Sequence, residues 1–461
     1  MLFSSITFLY VFLPCVLLLY FLAPKRLKNT VLLLVSLVFY AWGEPKYVVL
    51  MIASVFQGYV FARLMEKTER RAVKKLFLIL SLAVSLGLLG YFKYAGFFLE
   101  SFASLTGLSV PVLKIALPIG ISFYTFQILS YVVDVYRGDV PAQKNILSLG
   151  AYISMFPQLI AGPIVRYSDI AESLEERSHS LALASDGIRR FVLGLAKKIL
   201  IANTLGELVA AMTTARDVSV LYFWLYAIAF SLQIYFDFSG YSDMAIGLGK
   251  LFGFRFMENF NYPFISASIS EFWRRWHISL GSWFRDYVYI PLGGNRVGKG
   301  RLLFNLLVVW MLTGLWHGAA WNFVVWGLFF AVFLIAEKYF LGKFLEKHRV
   351  VGHVYVLITV VISFVIFNAT SMMEAGFFLA AMFGAKGYPL VSGEFLYQLG
   401  QYGVVLILAC VGATPWVKTL AQRIPKKLAN VLEPIVLVLL LLICTAYLVD
   451  GSFNPFLYFR F

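Results

Sequence analysis

Leu302-Leu303-Phe304-Asn305-Leu306-Leu307-Val308-Val309-Trp310-Met311-Leu312-Thr313-Gly314-Leu315-Trp316-His317-Gly318-Ala319-Ala320-Trp321-Asn322-Phe323 opens a run, 302–336, without a single Asp, Glu, Lys or Arg. A membrane-spanning helix needs about 20 mostly apolar residues, and somewhat fewer suffice. The run therefore holds one span, 302–317, and nearly all of a second, 320–338, which meet at a glycine-rich corner carrying one histidine. The rest of the 461-residue chain has the same character: 61% of its residues are hydrophobic and 14% charged. Soluble domains run at about 45–50% apolar and 25% charged. Disorder is excluded, because disordered chains combine low hydrophobicity with high charge. A soluble enzyme of ordinary make-up is excluded too, since one or two cores cannot hide so many apolar side chains.

Working outward from 302–336, further spans are expected at 5–23, 29–42, 47–64, 76–98, 115–135, 191–212, 218–238, 351–369, 397–414 and 431–449, which brings the total to about eleven or twelve. The net charge of +15 would suggest nucleic acid in a soluble chain. Here the basic residues cluster between apolar runs, as they do in the cytoplasmic loops of membrane proteins. Lys25, Arg26 and Lys28 follow the first span, and Arg63, Lys67, Arg70, Arg71, Lys74 and Lys75 the third. Arg189, Arg190, Lys197 and Lys198 come before the sixth, Lys343, Lys347 and Arg349 after the ninth, and Lys418, Arg423, Lys426 and Lys427 after the eleventh. With twelve spans and the N-terminus outside, every cluster falls in the cytoplasm. The first span has its basic residues after it rather than before, which reads as an anchor and not a signal peptide. Cys15, Cys410 and Cys444 are too few for a disulfide framework or a cysteine-rich zinc site.

Two stretches fit no simple span. Residues 139–185 hold an apolar patch interrupted by Pro157, Gly162 and Pro163, and residues 239–300 are rich in glycine, aromatics and scattered charge. Irregular backbone at membrane depth survives only when buried in protein or lining a wet cavity. No internal repeat or soluble domain is evident, so one membrane domain over 1–461 is expected, with N-terminal helices in 1–138, a core in 139–370 and C-terminal helices in 371–461.

The densest segment is Glu271-Phe272-Trp273-Arg274-Arg275-Trp276-His277-Ile278-Ser279-Leu280-Gly281-Ser282-Trp283-Phe284-Arg285-Asp286-Tyr287. As one helix it sets Trp273, His277, Leu280 and Phe284 on a single stripe. One reading is an interfacial helix with tryptophans at headgroup depth and arginines reaching phosphates. The other is a ligand site, since aromatic faces and guanidinium forks suit an adenine-and-phosphate molecule. Downstream, Pro291-Leu292-Gly293-Gly294-Asn295-Arg296 leads to Gly298-Lys299-Gly300. Its spacing mimics a P-loop, but Gly300 stands where Ser or Thr would hold magnesium. A phosphate-holding turn and a merely basic turn stay equally open.

His317 is the one ionisable group in its apolar run, and intramembrane ionisable residues are functional candidates by default. An imidazole exchanges protons near neutral pH. Gly314 and Gly318 form a GxxxG step expected to let another helix approach closely. No HExxH motif, no zinc-ligand spacing and no GxSxG elbow occur, so neither a metal nor a serine nucleophile is expected.

Together the run 272–280, the Arg285-Asp286-Tyr287 step, the 291–296 turn and Gly314-Leu315-Trp316-His317-Gly318 resemble the bacterial membrane-bound O-acyltransferases, on the alginate O-acetyltransferase branch. Leu117-Pro118-Ile119-Gly120-Ile121-Ser122-Phe123, residues 156–163 and Phe236-Asp237-Phe238-Ser239-Gly240-Tyr241-Ser242-Asp243 are similar as well. The likeness covers most of the chain to about residue 370. It implies an all-helical bundle around a central tunnel, His317 as the essential active-site histidine and His277 as a second important one nearer the cytoplasm. It further implies acetyl transfer from a cytoplasmic thioester, acetyl-CoA, for O-acetylation of an exported polysaccharide such as alginate, with no bound cofactor. An extracytoplasmic acyltransferase partner and an inner-membrane location go with it. Trp273, Arg274, Arg275, Trp276, Arg285, Asn295, Arg296, Trp316 and Asn322 are the expected donor- or substrate-binding residues, with Asp237 and Asp243 behind them. D-alanyl transfer to teichoic acid and a non-enzymatic transporter are the alternatives.

Overall fold

The computed structural model describes residues 1–110, 115–160, 162–451, 454, 455 and 457. Among these the chain is helical, with no strand, as expected of a polytopic membrane protein. Among the described residues, seven helices are long and apolar enough to cross a membrane: Val48–Lys67, Arg71–Thr106, Val220–Leu251, Trp321–Lys347, Arg349–Asn368, Gly393–Gly412 and Lys426–Asp450. They coincide with seven of the expected spans. The other five are helical too but shorter or more polar, as in Phe8–Leu22, Lys28–Gly43, Ile121–Arg137 and Lys299–His317. Exposed Leu, Val, Ile and Phe side chains cover the outer faces of these helices. Lipid must meet them, because water would make so much exposed apolar area unstable.

Two compact units form. One comprises Met1–Phe191 with Met244–Met257, the other Val192–Asp243 with Glu258–Phe461. The first is centred on an aromatic cluster: Phe3 and Phe8 have ring centroids 4.8 Å apart, and Phe12 meets Phe156 edge-on at 5.4 Å. Its irregular stretch resolves into Ile146–Ser154 and Phe156–Leu159, broken at Met155 and buried almost throughout. Burial in protein is what allows such a break at membrane depth. Ala161, within the 156–163 stretch, lies outside the described residues.

Two long helices correct two expectations. The helix beginning at Val220 does not stop at 238 but continues to Leu251, carrying Asp237, Ser239, Gly240 and Asp243 inside it. Those polar residues look like a break in sequence because a lone carboxylate in apolar surroundings is prohibitively costly. Their partners lie in what was expected to be a basic loop. Helix Leu181–Ala196 runs on through a π-helical turn, Lys197–Asn203, into Thr204–Met212. Lys198, only 1% exposed, reaches Asp237 at 2.6 Å, and Lys197 reaches Asp243 at 2.7 Å. These two lysines neutralise helix carboxylates; they are not loop charges.

Candidate active site

The site is built on a helical hairpin of the second unit, Lys299–His317 followed by Trp321–Ala336. Gly314 and Gly327 set the distance between its arms. A Cβ added to Gly314 would stand 2.2 Å from the Phe323 carbonyl oxygen, and one on Gly327 would stand 2.1 Å from that of Trp310. Only glycine permits backbones so close, so the Gly314 packing role expected from sequence holds. His317 is the last residue of the first arm, 6% exposed. Its ring lies edge-on among Trp326 at 4.9 Å, Trp316 at 5.0 Å and Phe367 at 5.4 Å.

His277 comes from the segment expected to be one helix. The structure instead has two, Ile269–Arg275 and Ile278–Phe284, and His277 sits at the break in the left-handed conformation, with φ 44. The single stripe of Trp273, His277, Leu280 and Phe284 is thereby lost. Helix Ile269–Arg275 is fixed at its start by carboxylates. Glu337 accepts from the Ser270 backbone N–H at 2.9 Å and from that of Ile269, while Glu271 accepts from the Ala267 N–H at 3.0 Å. Negative charge at a helix N-terminus satisfies donors that have no intrahelical partner.

Asn259 holds the His277 corner. Its Nδ2 donates to Ser242 Oγ at 2.9 Å, and its Oδ1 accepts from the Ser279 N–H at 3.2 Å and the Ser279 hydroxyl at 2.8 Å. A backbone N–H can only donate, which fixes Oδ1 on that side. His277 Nδ1, 3.1 Å from the same Oδ1, must then carry its ring proton, leaving Nε2 as the basic nitrogen. Burial, followed by the neighbouring His317, pushes the His277 imidazole well below its ordinary value. It is a neutral imidazole at neutral pH. Phe238 packs edge-on to it at 4.7 Å, and the His277 and His317 ring centroids are 6.5 Å apart. We expect Asn259→Leu to lower turnover at least tenfold, because it frees the tautomer and removes a hydrogen bond to the ring; Asn259→Gln should recover part of the loss. Steady-state kinetics on detergent-purified protein is the measurement, and unchanged turnover in Asn259→Leu would show that the corner needs no such lock.

The remaining expected residues divide clearly. Trp316 joins both histidines, at 5.7 Å from His277 and 5.0 Å from His317. Trp276 is buried in the core against Phe260, Phe272 and Phe364, and Trp273 is wedged among Trp310, Trp326 and Phe330. Asn322 donates to the carbonyls of Phe367 and Ala369, at 3.3 and 2.8 Å, and so clasps the end of helix Arg349–Asn368 behind His317. Arg275 is bound to Glu271 and Arg285 to Asp286, whereas Arg274 and Arg296 are exposed with no ion pair among the described residues. Asn295 Oδ1 accepts from Tyr289 at 2.6 Å and Lys338 at 2.9 Å. Asp237 and Asp243 pair with the two lysines described above. Phe238, Ser242 and Ser279 lie in stretches that carry the family resemblance but had no role of their own there, and no sequence signal marks Asn259.

A sequence profile of the membrane-bound O-acyltransferase (MBOAT) family matches residues 47–378, both histidines included. The chain belongs to that family. It is an acyltransferase and a multi-pass membrane protein, and the transporter alternative falls away. The chain is 45% identical to a probable alginate O-acetylase of Pseudomonas aeruginosa, over 93% of this chain and 85% of that one. It is 38% identical to the corresponding protein of Pseudomonas putida over the full length of both, and 34% identical to a peptidoglycan O-acetyltransferase of Helicobacter pylori over 87% and 84%. In this MBOAT protein the two imidazoles thus lie together in an aromatic, water-poor corner of one unit.

Proposed function

We propose that this MBOAT protein moves an acetyl group from a cytoplasmic thioester, acetyl-CoA, across the inner membrane for O-acetylation of an exported polysaccharide such as alginate, with its N-terminus outside. The paired buried imidazoles of His277 and His317 carry the reading, and the relatives named as alginate O-acetylases support the choice of acyl group and polymer. His317 removes the proton from an acceptor hydroxyl as its oxygen attacks the thioester carbonyl. The carbon–sulfur bond then breaks, and the departing thiolate takes up the proton. Neutral His277 orients the thioester or relays that proton. Trp316, Trp326 and Phe367 around the rings limit hydrolysis by keeping bulk water away.

Of the four arginines, Arg274 and Arg296 suit the donor phosphates best, because Arg275 and Arg285 already have carboxylate partners. A donor need not insert between Trp273 and Trp276, which are occupied in packing. The acceptor hydroxyl belongs either to the polymer or to an extracytoplasmic acyltransferase partner. Incubation of the purified protein with acetyl-labelled CoA and an acceptor tests the reading. Thiol release that depends on both His277 and His317 is expected; absence of release with acetyl-CoA, but release with another acyl thioester, would replace the donor.

A further inference from the structure

A second set of basic residues lies in the first unit, and none of them takes part in the acyl-transfer reading. Tyr20, fully buried near the end of helix Phe8–Leu22, directs its phenolic proton to the Phe252 carbonyl at 2.9 Å. Its oxygen therefore accepts from Arg177 Nη1 at 3.2 Å and from His179 Nε2 at 3.0 Å. Arg177 also donates to Asn29, whose own Nδ2 is held by Ser148 Oγ and the Leu174 carbonyl, both at 2.9 Å. The Arg177 guanidinium lies 4.7 Å from the buried Phe254 ring. Lys28 completes the group, its ammonium 4.5 Å over Tyr20 and 5.3 Å over Phe21.

Three cationic or protonatable groups converge here, and among the described residues none forms an ion pair with a carboxylate. Among the described residues Lys28 makes no hydrogen bond, and its ammonium lies over ring faces. Burial first, and then the charges of their basic neighbours, hold Lys28 and His179 below their usual values. Folding alone would not gather like charges in this way, whereas a dianionic or monoanionic oxygen ligand would relieve the repulsion. The place of the cluster indicates the source of that ligand. Leu18, Leu19, Phe21 and Leu22, on the helix that carries Tyr20, are all more than half exposed, as an acyl-chain-facing surface would be, and the basic residues begin where the apolar helix ends.

We propose that Lys28, Arg177 and His179 form a phosphate-binding site, filled by the headgroup phosphate of an anionic phospholipid. Charge-assisted hydrogen bonds from a guanidinium and an ammonium are the strong, geometry-selective kind that recognise phosphate. The site is independent of acyl transfer, so it stands or falls without regard to the donor.

The test uses the full-length protein in a neutral detergent, titrated with phosphatidylglycerol, phosphatidylcholine, inorganic phosphate or coenzyme A, with bound lipid read by native mass spectrometry and stability by thermal melting. Phosphatidylglycerol is expected to bind in preference to phosphatidylcholine, and Lys28→Gln to weaken that binding about tenfold. Lys67→Gln, at the end of a different helix, should not. Arg177→Gln should weaken it further, but Lys28→Gln is the decisive variant because it breaks no internal hydrogen bond. Displacement of the lipid by inorganic phosphate or coenzyme A would keep the phosphate site and assign it to a soluble ligand. Equal binding of the two lipids, or equal losses in Lys28→Gln and Lys67→Gln, would overturn the proposal.

Discussion

His317→Gln is expected to reduce acetyl transfer by about 10²–10⁴-fold, the usual worth of a positioned general base. Glutamine nearly fills the volume left among Trp316, Trp326 and Phe367, so the loss should be catalytic rather than structural, with the melting temperature little changed. The site also sits where the hairpin is rigid, since Gly314 and Gly327 leave its arms no room to adjust. His277→Gln should cost less if His277 only orients the donor, and as much if both imidazoles handle the same proton. Acetyl content of the exported polymer, together with thiol release from acetyl-CoA, measures both. Wild-type acetylation by a well-folded His317→Gln protein would remove the residue from the mechanism.

The second large effect concerns stability. The side chains of Lys198 and Asp237 are 2% and 3% exposed and 2.6 Å apart. Each has a further tie to the chain end: Lys198 donates to the Pro455 carbonyl, and Asp237 accepts from the Leu457 N–H at 3.2 Å. Removing one member of such a pair strands a buried charge and typically costs about 3–5 kcal/mol, whereas replacing both by apolar residues of similar volume is often close to neutral. Lys198→Met and Asp237→Leu are therefore each expected to lower the detergent melting temperature strongly, and the double variant to recover most of it. Melting curves of the four proteins check this; equal losses that simply add in the double variant would show that the two charges are not coupled. Because Phe238, the next residue after Asp237, packs on His277, the single variants should lose activity as well.

Sequence alone reveals the fold class, since long apolar runs admit few alternatives, and seven of the expected spans return as long apolar helices. What it hides are compensations between distant residues. Helix Val220–Leu251 seems to end at 238 because Asp237 and Asp243 look exposed to lipid, and nothing local reveals that Lys197 and Lys198 arrive from another helix. The same blindness affects the site. His317 is conspicuous as the one ionisable group in its run, whereas Asn259, Ser242 and Ser279 are ordinary polar residues whose importance exists only once His277 is placed beside them. The break at His277 is equally silent: neither proline nor glycine marks it, and 3.6-residue periodicity favours a continuous helix. Arginines and tryptophans of the 271–287 segment drew attention by their density, yet most prove to be bound to neighbours or to the core.

The left-handed backbone at His277 has a consequence of its own. A side chain with a Cβ in that region is disfavoured by roughly 1–2 kcal/mol relative to an ordinary conformation, and among the twenty residues glycine would sit there most comfortably. Selection for rigidity alone would thus have erased the imidazole. Its presence means that the fold tolerates a local defect at the proposed place of transfer, with the hydrogen bonds around Asn259 keeping the corner from relaxing away.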